Sequence, residues 1–344
     1  IYKKNKINIY LINTYDRYIK MCGISGIISL DGSQIKSLDK RLELMTKNLN
    51  HRGPDANGVY KGIINNSNII LIHNRLTILD LNTRANQPFN YENAFLIYNG
   101  EIYNYIELRK ELILLGHKFI TNSDTEVVSH ALSEWGVEAF KKFEGMWSLI
   151  WFNKSLNQII ISRDRFGEKP LYYYKDRKGI YFSSEIKGIF FLRNKKQTAN
   201  ISKLSKYLVS GYKSLNKDEE TFYQDIKEFP KGHTSIINKN LNEKNYNYWK
   251  PNFIKKNSYS FRTNCEIVRE LLINSVKLRL RSDVPLAFCV SSGVDSNALI
   301  YIAKKNFNYD VKGFSISSAD PRYSEKKLME EVYKKDRIDC TYIK

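Results

Sequence analysis

An α+β unit of sheets covered by helices, followed by the opening of an α/β unit with a parallel sheet, is the fold class the chain predicts. Three observations predict it. From Met21 to about Gly188, helical stretches are grouped between runs of short β-type segments, the order of a layered α+β domain. From about Asn264 the order becomes helix, buried-type strand, helix, strand, which describes a βαβ unit with a right-handed crossover. The length, 344 residues, is ample for two cores of ordinary size.

The elements follow in order. Residues 1–20, IYKKNKINIYLINTYDRYIK, show no clear period and lack the apolar stretch and small-residue cleavage site of a secretory signal. With Met21 as initiator, residues 1–21 read as an upstream extension or a removed segment. GISGIISL (Gly23–Leu30) is β-rich, and Leu38–Leu49 carries apolar residues at helical spacing until Gly53–Pro54 stops the pattern. NIILIHNRLTILDL (68–81) and AFLIYNG (94–100) read as strands. Tyr105–Leu115 reads as a helix closed by Gly116, and Thr125–Trp135 as a helix capped by Ser123–Asp124. MWSLIWFN, QIIISRD, PLYYYKD and GIYFSSE follow as strands with turn residues between them. Residues 22–190 thus form the first domain, and 191–260, rich in Lys and Asn, read as a connecting region. Residues 261–344 open the second domain with a helix over Cys265–Leu280, a strand over Val284–Val290, a helix over Asn297–Lys305 and a strand over Val311–Ile316.

Composition narrows the function classes. Hydrophobic residues make up 42% and charged residues 26%, an ordinary globular balance, and there is no apolar run of roughly 18 residues, so no membrane span is predicted. The formal net charge of +19 accompanies a general Lys, Asn, Ile and Tyr bias. No zinc knuckle, RNP-type strand or recognition-helix signature goes with it, so no nucleic-acid partner is predicted. The four cysteines, Cys22, Cys265, Cys289 and Cys340, match no CxxC spacing, which suits a reducing, cytoplasmic setting; the last three read as small core hydrophobes.

Two clusters carry chemistry. In MCGISGI, removal of Met21 would leave Cys22 with its thiol and a free α-amine on one residue, and an amine of pKa roughly 8 can take the thiol proton. In SSGVDS (291–296), small residues between a strand and a helix expose backbone N–H groups at a helix N-terminus, a natural place for phosphate. Taken singly, Asn99–Gly100 is also a routine turn pair, Arg75 a solvated charge and Asp124 a helix cap.

Together the motifs resemble class II glutamine amidotransferases, and most closely the glutamine-hydrolysing asparagine synthetases. The segments are MCGISGI (21–27), HRGPD (51–55), RLTILDL (75–81), NGEIYNY (99–105), SDTEV (123–127), EGMWSLIWF (144–152), RDRFGEKPLYY (163–173), SSEIK (183–187) and SSGVDS. The resemblance implies a four-layer αββα sandwich of the N-terminal-nucleophile hydrolase type, followed by the start of an ATP-pyrophosphatase-like α/β sheet. It implies that Cys22 attacks the glutamine carboxamide, with Asn99 and Gly100 as an oxyanion hole whose donors are each worth about 3 kcal/mol in comparable enzymes. Arg75 would hold the α-carboxylate, Glu101 and Asp124 the α-ammonium, and Leu76, Thr77, Ile78 and Leu79 would complete the glutamine site. Ser291, Gly293, Asp295 and Ser296 match the pyrophosphate loop, Ser292 replaces its usual glycine, and Val290 and Ile316 would flank adenine. HRGPD also reads as a structural turn, His73 as structural, and His117, His130 and His233 show no ligand spacing.

The activity so implied is asparagine synthesis from aspartate through a β-aspartyl-AMP intermediate, using glutamine, ATP and Mg²⁺, in a cytoplasmic enzyme that could be a homodimer. No metal ligand is assigned. The resemblance places further ATP- and aspartate-binding segments beyond Lys344, so the chain as given is expected to be limited to glutaminase chemistry. Two alternatives remain at this point: an amidotransferase acting on another carboxylate, such as a surface-polysaccharide sugar acid, and a non-enzymatic module that kept the fold.

Overall fold

The computed structural model describes residues 21–32, 35–211, 218–253, 259–318, 320, 322 and 324–343; the expectations for residues 1–20 lie outside them. In chain order the elements are β1 (Gly23–Ser29), α1 (Leu38–Leu49), β2 (Ala56–Ile64), β3 (Ser67–Arg75), β4 (Phe89–Tyr91), β5 (Ala94–Ile102), α2 (Tyr105–Leu114), α3 (Asp124–Trp135), α4 (Ala139–Lys142), β6 (Gly145–Asn153), β7 (Gln158–Arg163), β8 (Tyr172–Lys175), β9 (Gly179–Ser183) and α5 (Ile186–Arg193). There follow α6 (Ile201–Ser210), β10 (Ile226–Glu228), β11 (His233–Ile237), β12 (Glu243–Asn247), α7 (Phe261–Arg279), β13 (Phe288–Cys289), α8 (Val294–Phe307), β14 (Lys312–Ile316), α9 (Lys326–Lys335) and β15 (Asp339–Ile343).

Two antiparallel sheets stack face to face. Their strand orders are β10-β8-β9-β1-β3-β2 and β12-β11-β7-β6-β5-β4. Strand periodicity sends alternate side chains to opposite faces, and both faces of each sheet are covered. Ile24, Ile28, Ile69 and Leu71 of the first sheet meet Ile97, Ile150, Phe152, Ile159 and Ile161 of the second in a buried layer. On the outer face of the first sheet, Ile27, Ile70 and Ile72 pack against Leu42, Met45 and Leu49 of α1 and Leu192 of α5. On the outer face of the second, Leu96, Tyr98, Trp147 and Trp151 pack against Leu108 and Leu112 of α2, Val127, Val128, Ala131 and Leu132 of α3, and Phe140 of α4. The result is the expected αββα sandwich. Ser123 caps α3 as read, its hydroxyl accepting from Thr125 N–H at 3.1 Å.

Four sequence readings change. The stretch 191–260 is more than a connector: β10 extends the first sheet, and β11 and β12 extend the second through pairs such as Ser235 with Ile161. Their alternating Lys and Asn residues reflect strands near or at a sheet edge, which leaves few apolar positions to read. The strand expected over 68–81 stops at Arg75, because residues 76–81 turn away to wall a cavity. The strand expected over Val284–Val290 shrinks to Phe288–Cys289 at the edge of the parallel sheet β13-β14-β15, where Pro285 has no N–H to offer a ladder. Finally, Cys265 and Cys289 are exposed and so are not core hydrophobes, whereas Cys340 is half-buried and packs against the second core. The second core is small, built on Val276, Val290, Ile300, Ala303, Val311, Met329, Tyr333 and Ile338.

Candidate active site

Strand register brings the thiol to the cavity. Gly23 of β1 pairs with Asn74 of β3, so Cys22 lies level with the end of β3. Its Sγ sits 3.3 Å from the Leu76 N–H, which donates to it, and 3.4 Å from the Leu76 carbonyl. The HRGPD turn braces the other side. Arg52 Nε donates to the Cys22 carbonyl at 3.1 Å, and the Arg52 carbonyl accepts from Met21 N–H at 2.9 Å. A Cβ on Gly53 would fall 2.3 Å from the Asn74 carbonyl oxygen, so glycine lets this turn lie flush on β3. His51 is directed to Glu185 at 2.7 Å, away from the thiol. Burial pushes the Cys22 thiol up, while the Leu76 hydrogen bond and the Lys169 and Arg75 cations pull it down.

No described side chain is a base for that thiol. His73 is fully buried with Nε2 3.1 Å from the Tyr98 carbonyl, and burial pushes its imidazole down to about 3. This agrees with its structural reading.

The cavity beside Cys22 holds about 50 Å³ and is lined by Arg75, Leu76, Ile78, Leu79, Asn99, Gly100, Glu101 and Asp124, among others. Of the residues expected here, Thr77 is not part of the lining; its N–H donates outward to Asp55 Oδ2 at 2.7 Å. Asn99 is 1% exposed, and its Nδ2 has no hydrogen-bond partner. A buried amide left without an acceptor costs about 1–3 kcal/mol. Gly100 sits in β5 opposite Trp147 of β6, and a Cβ there would fall 2.2 Å from the Met146 carbonyl oxygen.

Charges divide across the cavity. Arg75 donates through Nη1 to the Asn82 carbonyl (2.9 Å) and Asn86 Oδ1 (2.7 Å), and through Nη2 to the Leu79 and Asp80 carbonyls (3.2 and 2.6 Å). Its planar fork therefore shapes the 76–82 loop. Asp124 Oδ2 accepts from Tyr98 O–H and Ile102 N–H, each at 3.0 Å; burial nevertheless pushes its carboxyl up. Burial and the Asp124 charge push Glu101 up to about 7. Two desolvated carboxyl groups in one cavity favour a cation between them.

Sequence reading missed Lys169, Met21 and Tyr98 as lining residues. Lys169 stood within RDRFGEKPLYY, so the motif held the signal but no physical rule singled it out. Its Nζ lies 3.3 Å from Met21 Sδ, which places the Met21 side chain inside the cavity.

The second cluster forms as a loop before α8. Ser291 Oγ and Ser296 Oγ lie 2.9 Å apart, Gly293 N–H donates to Ser291 Oγ at 3.2 Å, and Asn297 Nδ2 donates to the Ser291 and Gly293 carbonyls. Ser292 N–H donates to the Glu325 carboxylate at 2.7 Å. The loop thus gives one N–H to an anionic oxygen just before the N-terminus of α8. Asp295 is exposed in the first turn of α8. Val290 is buried in the second core, whereas Ile316 is 86% exposed at the end of β14. Among the described residues, no group of three or more His, Cys, Asp or Glu side chains is placed to hold a metal ion, and no helix is long and apolar enough to cross a membrane.

Comparison with known proteins gives matches on both parts of the chain. A family model described as glutamine amidotransferase domain matches residues 21–249, and one described as asparagine synthase matches residues 267–343. Asparagine synthetase (glutamine-hydrolyzing) 1 of Bacillus subtilis is 31% identical, over 90% of this chain and 48% of its own. A Methanocaldococcus jannaschii protein whose name likewise carries asparagine synthetase (glutamine-hydrolyzing) is 34% identical, over 83% of this chain and 57% of its own. The chain therefore spans about half the length of the curated relatives it matches. Among solved structures, a glutamine phosphoribosylpyrophosphate amidotransferase from B. subtilis, complexed with ADP and GMP, overlays with a TM-score of 0.48 and 15% identity, covering 90% of this chain and 70% of that one.

Proposed function

We propose, for a chain that belongs to the glutamine amidotransferase domain family, that its first domain splits glutamine at Cys22 and supplies the ammonia to a carboxylate activated in the second. The observation that carries the reading is the partnerless Asn99 Nδ2 in the same cavity as the Cys22 thiol.

The chemistry follows from the groups present. Once Cys22 is the first residue, its α-amine takes the thiol proton, and the sulfur attacks the glutamine side-chain carbonyl carbon. A C–S bond forms, and the negative charge on the carbonyl oxygen is met by Asn99 Nδ2 and the Gly100 N–H. The amine returns the proton to the departing nitrogen, which leaves as ammonia. Water then attacks the thioester, releasing glutamate and restoring the thiol. Arg75 faces the substrate α-carboxylate, and Glu101 and Asp124 face the α-ammonium. With Met21 attached, its side chain takes up part of the cavity beside Lys169. Removal of Met21 both frees the amine and clears the space beside Lys169.

The acceptor would be aspartate, in line with the names of the relatives. The Ser291–Ser296 loop would hold the phosphates of ATP during formation of β-aspartyl-AMP, with ammonia then displacing AMP. Mg²⁺, when bound with ATP, would neutralise charge on the phosphate oxygens.

The test is glutamate formation from glutamine by protein that begins at Cys22, followed against pH. Glu101 must be ionised to hold an ammonium, and its carboxyl sits near 7 in place of the ordinary 4.5. KM for glutamine should therefore fall as pH rises through about 7. The sign for stability is opposite. Between about 4.5 and about 7 the unfolded chain ionises Glu101 while the folded chain does not, so the group's contribution to folding declines over that window. Glu101→Gln should remove both slopes; a pH-independent KM in the parent, or no glutamate at all, would count against the reading.

A further inference from the structure

The loop that walls the cavity is held from outside the first domain. Its backbone is anchored at one end by Cys22 and Asp55, which accept from Leu76 and Thr77 N–H. At the other end Asp283, just beyond α7, clasps it from both sides. Asp283 N–H donates to the Ile78 carbonyl at 3.2 Å, and Asp283 Oδ2 accepts from Asp80 N–H at 2.8 Å. Asp80 itself sits at φ +46, an uncommon conformation for a non-glycine residue that needs such partners to persist. Two residues earlier, Arg281 forms a fork with Glu107 of α2, at 2.6 Å through each Nη, and donates to the Tyr103 carbonyl at 2.6 Å. Arg279 stacks over the Tyr103 ring, 4.6 Å from its centroid. The segment 279–283 therefore grips both the loop carrying Ile78 and Leu79 and the chain leaving Asn99, Gly100 and Glu101.

We propose that Asp283, supported by Arg281, is a positioning residue of the glutamine pocket, so that the segment leading into the second domain completes the glutaminase site. The assignment rests on the glutaminase reading above. Ile78 and Leu79 line the cavity, and their carbonyls are fixed on opposite sides by Asp283 and Arg75. Losing the Asp283 acceptor frees the outer edge of the loop while Arg75 still holds the inner edge. Substrate binding then suffers more than the chemical step, since Cys22 directly precedes β1 and Asn99 stands on β5, backbone that the loop does not carry.

Hydrogen exchange of amides 77–81 in the 344-residue chain, paired with glutaminase kinetics after processing to Cys22, separates the possibilities. Asp283→Ala should exchange these amides about fivefold faster and raise KM for glutamine about tenfold, with kcat changed by less than about twofold. Asp283→Asn keeps an oxygen acceptor and should restore both readings to near the parent. Arg262→Ala, an exposed change on α7, should alter neither. Unchanged exchange in Asp283→Ala, faster exchange with an unchanged KM, or failure of Asp283→Asn to restore either would overturn the proposal. A parent that forms no glutamate would instead overturn the glutaminase reading, and the exchange contrast, which needs no turnover, would tell the two failures apart.

Discussion

Replacing Cys22 with alanine is expected to cut ammonia release from glutamine by at least about 10⁴-fold, because no other group in the cavity can form the thioester. The folded state should survive. Cys22 precedes β1, its sulfur makes only long contacts with the Leu76 backbone, and the ladder from Gly23 onward does not involve the side chain. Glutamine should still bind, since Arg75, Glu101 and Asp124 are untouched. The combination is measurable: calorimetric glutamine binding close to that of the parent, an unchanged thermal midpoint, and no turnover. Equal ammonia release from both proteins would remove the mechanism.

Asn99→Ala is expected to show the second-largest loss, about 10²–10³-fold in kcat with little change in KM. The asymmetry has a structural source. Asn99 Nδ2 has no partner among the described residues, so it contributes chiefly when negative charge appears on the substrate oxygen. Stability should move in an unusual direction for a buried substitution. Truncation removes contacts but also removes an unsatisfied donor worth about 1–3 kcal/mol, so the two effects offset. A large drop in thermal midpoint with retained kcat would mean that Asn99 serves packing instead.

The two sheets and their helices were largely legible because near-continuous apolar runs in segments such as GISGIIS and GMWSLIWFN report directly on strands buried on both faces. Polar strands near the sheet edges were not. His233–Ile237 and Glu243–Asn247 carry too few apolar residues to be told from loop, and only the pairing of the first with β7 and of the second with the first reveals them. The 76–81 loop misled for the converse reason: LTILDL has strand-like composition, but Arg75 donates to its Leu79 and Asp80 carbonyls and holds that backbone away from the sheet. At the site, Cys22 and Asp124 drew their assignments from the motifs around them, and the fold brings both to one cavity. Lys169 and Asp283 were not legible, because a lone lysine or aspartate acquires meaning only from what the fold places beside it. The exposed cysteines 265 and 289 show the same limit, since composition alone cannot tell a covered face from an open one.

The central claim is that Cys22 works as an N-terminal residue, with its own α-amine as base and the Met21 side chain gone from the cavity. N-terminal sequencing of protein purified on glutaminase activity tests it most directly. Cys22 should be the first residue of every active fraction, and fractions that retain upstream residues should be inactive. Full activity from a chain still beginning at Ile1 or Met21 would contradict the account.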